Sequence, residues 1–374
     1  SEAGVERFLR RVKKSEPDGI LVACFKKWQF ERVRSILNAV EVPAIVVAPT
    51  GVLLAGHINE LHGRSGVHLI STADDLVFDP LQDAMNMIAV QRWMQQACIV
   101  NLQGSTRQEA EVAHLGTRIR TLPLERFVKR FRQRETTREV KELARTYVNR
   151  ARKMMEASED DATDGAKSFF VLKSILEEEG GDAMMMRCLP GLKKPHEHPP
   201  PCMGFMSLRD EGLPAGCQSD LDATLTLMLA QKLFGRPGFQ QNAAMDTVRN
   251  EYFGAHCTSA SRMRGVDSEG EPYLLRSHSE AGWGCVPQVL FTPGQKVTMA
   301  KYHSGEEPEM IIYSGETTRC FPGSTAGCRT NVQMTINEVD DACDTRGMHQ
   351  VIFYGDHADQ LRTFCRLHGI SVVT

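Results

Sequence analysis

No run of this chain is apolar for long enough to span a bilayer, which removes membrane-embedded helical classes from its reading. No Gly-x-Gly-x-x-Gly follows any strand-like stretch, and no Walker-type loop occurs, so the usual cradles for dinucleotides and nucleoside triphosphates are missing. An excess of positive charge is lacking too. Lys and Arg number 44 against 47 Asp and Glu, a formal net charge of −3, where a dedicated nucleic-acid binder is normally basic. The 11 cysteines are odd in number and include no Cys-x-x-Cys pair, a pattern that suits free thiols in a reducing compartment better than a disulfide framework. No signal-peptide pattern opens the chain, so the expected location is cytoplasmic, with Ser1 in place of methionine leaving a processed start open.

What is present is the composition of a soluble globular protein, 41% hydrophobic and 24% charged. At 374 residues the chain is too long for one ordinary core, and two or three domains are expected. Gly19 to Cys24, Val42 to Ala48, Val67 to Ile70 and Ala97 to Asn101 read as buried strands, with helices over Trp28 to Val40 and Leu81 to Gln95. Such alternation indicates parallel βαβ units, and a Rossmann-like α/β domain is expected over residues 1–125. From Arg118 to Lys153 basic residues outnumber acids, the mark of a solvated helix face or of a patch for an acidic partner. Helices over Glu135 to Ala157 and Gly165 to Glu179, separated by the acidic loop Glu159-Asp-Asp161, open a second α/β domain expected over 126–280. Beyond His256 the strand-like stretches Gly284 to Thr292, Gln295 to Tyr302, Glu309 to Ser314 and Cys328 to Ile336 suggest an antiparallel β-rich unit over 281–374, with a closing βαβ unit.

The chain is organised around Ala215 to Gly235. Leu221, Leu225, Met228 and Leu229 recur at helical spacing, Ser219 stands where an N-cap belongs with Asp222 three residues on, and Gly235 supplies the stop. Gln218, Ser219, Asp220 and Asp222 therefore gather at the mouth of a buried helix. There they either complement the helix dipole or line a pocket. The loop His196-Glu-His-Pro-Pro-Pro-Cys202 fits no standard zinc spacing, and its prolines forbid the helix that would align its rings.

Several segments in one order carry a resemblance. They are Leu208-Arg-Asp-Glu-Gly-Leu213, Cys217-Gln-Ser-Asp220, Pro237-Gly-Phe239, Ala255-His-Cys-Thr258, Arg276-Ser-His278, Gly294-Gln-Lys-Val-Thr298, Cys328-Arg-Thr330 and Gly347-Met-His-Gln-Val-Ile-Phe-Tyr-Gly-Asp356. From about Met184 onward the chain resembles the L-fucose isomerase and L-arabinose isomerase superfamily, especially its fucose isomerase-related branch. The resemblance implies a fucose isomerase-like fold, a trimer or hexamer, and an aldose–ketose isomerase acting on a monosaccharide. In that chemistry a divalent metal, usually manganese, grips two sugar oxygens while a carboxylate moves a proton through an ene-diol. The positions matching the family's metal ligands are Gln218, Gln241 or Asn242, and His349, so two of the three have lost their charge. No metal or other cofactor is therefore expected, and Mn2+ only if the family pattern survives these substitutions.

The polar residues left near the expected site assign provisional roles. Asp220, His256, His349 and Glu280 are the candidate acid/base groups, with Asp220 favoured because a helix N-terminus holds it. Gln218, Asp222, His278, Arg329 and Asn242 are candidate sugar-binding residues. Three readings follow. One is an isomerase with a rebuilt, metal-free site, and another a glycoside-cleaving enzyme using two carboxyls such as Asp220 and Glu280. The third is a non-catalytic sugar-binding or assembly protein.

Overall fold

The computed structural model describes residues 2–73, 78–323 and 327–374. The chain divides into two compact units: residues 1–95 with 307–309 and 359–372 form the first, and 96–306 with 310–358 and 373–374 the second.

In the first unit, strands β1 (Ile20–Ala23), β2 (Ala44–Pro49) and β3 (Val67–Thr72) form a parallel sheet in the order β1-β2-β3. Helices α1 (Glu2–Ser15), α2 (Phe30–Ala39), α3 (Ala55–His62) and α4 (Phe78–Gln96) accompany them. Val22, Val46 and Val67 pack with Phe30, Leu37 and Leu61 in its core, as short β-branched strands between amphipathic helices should. The helix Ala358–Leu367, expected to close the C-terminal domain, lies almost wholly in this first unit.

The fourth expected strand belongs elsewhere. β4 (Cys98–Leu102) pairs in parallel with β6 (Arg118–Leu122) and β8 (Ala183–Met186), so the division falls at Gln95–Gln96 rather than near residue 125. With β5 (Gln108–Glu111) and β9 (Ala215–Cys217) these strands make a five-stranded sheet, ordered β5-β6-β4-β8-β9. α5 (Glu125–Gln133), α6 (Arg138–Arg150), α7 (Glu159–Glu178) and α8 (Cys202–Asp210) follow, with Phe127, Leu172, Ile175 and Phe205 closing the apolar core over Val100 and Met184. The acidic stretch expected as a loop is the first turn of α7. Ser158 and Asp161 exchange capping hydrogen bonds, placing Glu159 and Asp160 against the positive end of the helix. Part of the basic run is paired, with Arg126 on Glu179 at 2.5 Å and Arg130 on Glu178 at 2.6 Å, while others such as Lys141 and Arg145 are exposed.

A small sheet joins β7 (Ala151–Met154), β12 (Tyr273–Arg276) and β13 (Val286–Val289). The rest of the second unit is a closed β-barrel. Strands β10 (Phe239–Asp246), β11 (Glu251–His256), β14 (Lys296–His303), β15 (Glu309–Arg319), β16 (Thr330–Met334) and β17 (Gln350–Tyr354) run in the order β14-β17-β10-β11-β16-β15, and a β14–β15 pairing closes the ring. The β-rich unit thus begins at Phe239, ahead of the expected start near residue 281. Phe239, Tyr252, Val297, Met299, Met334 and Ile352 share its core. Tyr252 is also part of a polar layer. It accepts from Gln241 Nε2 at 2.7 Å and donates to Gln350 Oε1 at 2.5 Å. Gly254 leaves room for Gln241, since a Cβ there would lie 2.9 Å from its side chain.

The central helix α9 (Leu221–Phe234) runs from the mixed sheet to the barrel. Its apolar body is buried from Ala223 to Ala230, and Gly235 ends it in the left-handed conformation at φ 63°. Thr226 Oγ1 accepts from the Tyr302 N–H at 2.9 Å, tying the helix to β14.

Candidate functional site

The site grows from the turn joining β9 to α9. Gln240, buried in β10, clamps the end of β9 by accepting from the Cys217 N–H at 2.8 Å. The next two residues, Gln218 and Ser219, are left-handed at φ 58° and 52°. Neither is glycine, and each such residue costs on the order of 1–3 kcal/mol unless its surroundings hold it. Here the Ser219 hydroxyl donates to Asn101 Oδ1 at 2.7 Å. Ser219 is consequently not the helix cap. That place falls to Asp220, whose Oδ1 accepts from the Ala223 N–H at 2.9 Å.

Asp220 has two further partners from distant segments. Lys301 Nζ lies 2.9 Å from Oδ1 and 2.8 Å from Oδ2, and His349 Nδ1 lies 2.8 Å from Oδ2. Lys301 shares the parity of Val297 and Met299 on β14, which turns it into the barrel with only 4% of its surface exposed. His349 precedes β17 instead of lying on it and is itself left-handed, at φ 53°. Three strained non-glycine residues therefore meet around one carboxylate. Burial pulls the Asp220 carboxyl upward, but the His349 hydrogen bond, the Lys301 charge and the Ala223 N–H together bring it down to about 2. A group so firmly ionised is a weak general acid or base near neutral pH. Its geometry suits a different task, orienting the His349 ring with Nδ1 as donor and Nε2 as acceptor.

His256 ends the inward-facing row Tyr252, Gly254, His256 of β11 and is 2% exposed. Its ring lies edge-on to His349 with centroids 5.6 Å apart, and among the described residues neither of its ring nitrogens has a hydrogen-bond partner. Burial, then the nearby His349, Arg209 and His278 groups, push its pKa down to about 3. His278 is buried as well, accepting from the Ala281 N–H at 3.3 Å. Burial and the Arg329 charge bring it to about 4.

These values carry a stability prediction. Both histidines titrate in the fold below the ordinary 6.5, so each adds stability that is complete above that pH and is lost as the pH falls toward its folded value. Asp220 behaves likewise between 3.8 and about 2. Denaturation midpoints should therefore fall between pH 6.5 and 4, each histidine adding a slope of about 1.4 kcal/mol per pH unit below its unfolded pKa. His256→Gln should remove one histidine's share of that slope. An unchanged slope in denaturant titrations at several pH values would exclude His256 as a source.

A cavity of about 840 Å3 opens beside this cluster, lined in part by Gln218, His278, Glu280, Leu189 and Leu192. It lies outside the carboxyl ends of β8 and β9, where open parallel sheets characteristically bind ligands. Of the candidate residues, Gln218, His278 and the exposed Glu280 face this cavity, whereas Asp220, His349 and His256 form the adjoining polar cluster. The others have structural partners. Asp222 accepts from the Ser304 backbone and hydroxyl at 3.1 and 2.6 Å, and Arg329 is buried, donating to the Ser277 carbonyl at 2.9 Å. Asn242 directs its amide at the Cys328 sulfur, 3.8 Å away. That thiol is lowered to about 7 by its contact with Cys257, although burial opposes the shift.

At positions that the resemblance pairs with metal ligands, several side chains have other partners. Gln241 is bonded to Tyr252, Asn242 faces a thiol, and His349 is held through Nδ1 by Asp220, which leaves its Nε2 open. Asp220 already carries a lysine ammonium on both oxygens, and a second cation there would meet charge repulsion. Among the described residues no group of three or more His, Cys, Asp or Glu is placed to hold a metal.

Lys301 is the residue that sequence reasoning passed over. A lone lysine at an inward position of an apolar strand must find a counter-charge, which was the available signal. No known family model matches this chain, and no curated protein matches it at a significant level.

Proposed function

We propose that the second unit is a carbohydrate-active enzyme whose polar cluster moves a proton on a monosaccharide without a metal. One observation carries this reading: the hydrogen-bonded chain Lys301–Asp220–His349, built on three left-handed residues beside the cavity. In it Asp220 fixes the tautomer of His349, leaving Nε2 to accept a proton from the carbon next to a sugar carbonyl. The same nitrogen can return that proton to the former carbonyl carbon while the hydroxyl proton passes between the two adjacent oxygens, which is aldose–ketose isomerisation through an ene-diol. Lys301 offsets the charge of Asp220 and holds its carboxylate in place against His349. His256, held neutral, keeps its ring nitrogens available to hydrogen-bond hydroxyls.

The glycoside-cleaving alternative draws less support. It needs one carboxyl to stay protonated near neutral pH, whereas Asp220 is held at about 2 and Glu280 is exposed. The full chain should be incubated in D2O with a panel of aldoses and ketoses, and the proton at the carbon beside the carbonyl followed by NMR. Enzyme-dependent exchange of that proton is the expected result. Cleavage of aryl glycosides without any exchange would replace isomerisation by hydrolysis.

A further inference from the structure

The cavity has a charge that contradicts the average of the chain. Of its lining side chains Arg187, Lys193 and Lys194 are cationic and Glu280 alone is acidic, in a protein whose net charge is −3. Unlike Arg126 and Arg130 of α5, these three cations have no ion-pair partner among the described residues. The backbone that carries them is held in place. Arg187 directly follows β8, its N–H donating to the Leu102 carbonyl at 3.0 Å, so it leaves the sheet at the cavity mouth. The lysine-bearing loop is pinned at Leu192, whose carbonyl receives the Trp283 indole N–H at 3.3 Å and contacts His196 Nδ1 at 2.9 Å. The His196 ring then lies on Trp283 with centroids 4.2 Å apart. All three are exposed at the cavity, where cations not shared with a carboxylate attract a ligand of opposite charge. The other wall differs in character. Gln218 and His278 offer uncharged hydrogen-bonding groups next to the Asp220 cluster.

We propose that the cavity takes an anionic monosaccharide, its phosphate or carboxylate group received by Arg187, Lys193 and Lys194 and its hydroxyl-bearing end by Gln218 and His278. This assignment rests on the sugar reading given above and narrows it to a charged substrate. A guanidinium forks onto two oxygens of such a group, while the two ammonium groups act as point charges that also speed its approach. The neutral end of the sugar is then left toward His349.

Calorimetric titration of the full chain at low and physiological salt tests the assignment with four probes: inorganic phosphate, an aldohexose 6-phosphate, a hexuronate and the parent neutral aldohexose. The expected result is that the phosphorylated sugar or the uronate binds at least about tenfold more tightly than the neutral sugar, with a margin that shrinks as salt rises. The arm that wins identifies the anionic group. The double variant Lys193→Gln/Lys194→Gln, and separately Arg187→Gln, should erase that margin. Equal binding of neutral and charged sugars, or variants that keep the full margin, would overturn the anionic assignment while the sugar reading stands. Binding of inorganic phosphate and the sugar phosphate alike, with no affinity for the uronate or the neutral sugar, would uphold the anion site and remove the sugar reading. No binding by any probe overturns both.

Discussion

Lys301→Met is expected to destabilise the second unit by about 3–5 kcal/mol, the cost of leaving one partner of a buried ion pair uncompensated. The lysine is 4% exposed and holds both oxygens of Asp220. Without it the carboxylate keeps only His349 and the Ala223 N–H, so its pKa must rise from about 2. Methionine is close in length to the lysine stem and continues the apolar row of Val297 and Met299, so little of the loss would come from packing. The companion variant decides the cause. Asp220→Asn keeps the cap and removes the charge, and combined with Lys301→Met it should recover most of the stability lost by the single change. Denaturant midpoints for the two single variants and the double complete the cycle. If Lys301→Met costs under about 1 kcal/mol, or the double is simply additive, the pair does not hold the site together.

His349→Asn is expected to lower turnover by about 10²–10⁴-fold, the range contributed by a positioned general base. Asparagine is chosen for two reasons. It tolerates the left-handed backbone that position 349 adopts, and its amide can still donate to Asp220. What it lacks is a basic nitrogen in the place of Nε2. The melting temperature should therefore move little while deuterium exchange from solvent into the sugar collapses. Asp220→Asn should slow the same exchange by a different route, since an amide can no longer dictate which ring nitrogen carries the proton. A His349→Asn enzyme that exchanges within about threefold of the parent would remove His349 from the chemistry.

Much of the first unit was legible because its signals are local. Apolar strands such as Val42 to Ala48 alternate with amphipathic helices there, and in the second unit Gly235 announces the end of α9. The turn at Gln218 and Ser219 was not legible. Serine and aspartate cap equally well, and the left-handed pair that passes the cap to Asp220 depends on Asn101, far away on β4. The barrel begins earlier than expected because in β10 Phe239 is followed by Gln240, Gln241 and Asn242, polar residues that conceal a strand. Gln241 faces the barrel interior and is satisfied by Tyr252, while Gln240 points to the opposite face and is satisfied by Cys217 of β9. His256, His278 and His349 could be singled out as residue types. Their arrangement required pairings across the sheet, which no local pattern contains.

The place of β17 in the ring sets an order for synthesis. It lies between β14 and β10, although it is the last of the six barrel strands to be made. Until about residue 354 has left the ribosome, the facing edges of β10 and β14 have no partner, and the ring stays open. His349 is 129 residues from Asp220 and Lys301 81, so the polar cluster also assembles only at that late step. Contacts so far apart in sequence form slowly, and the open intermediate exposes unpaired strand edges together with apolar surface such as Met299 and Ile352. Newly made chains are thus most prone to misassociate just before the site exists, and chaperone demand should peak there rather than during growth of the first unit.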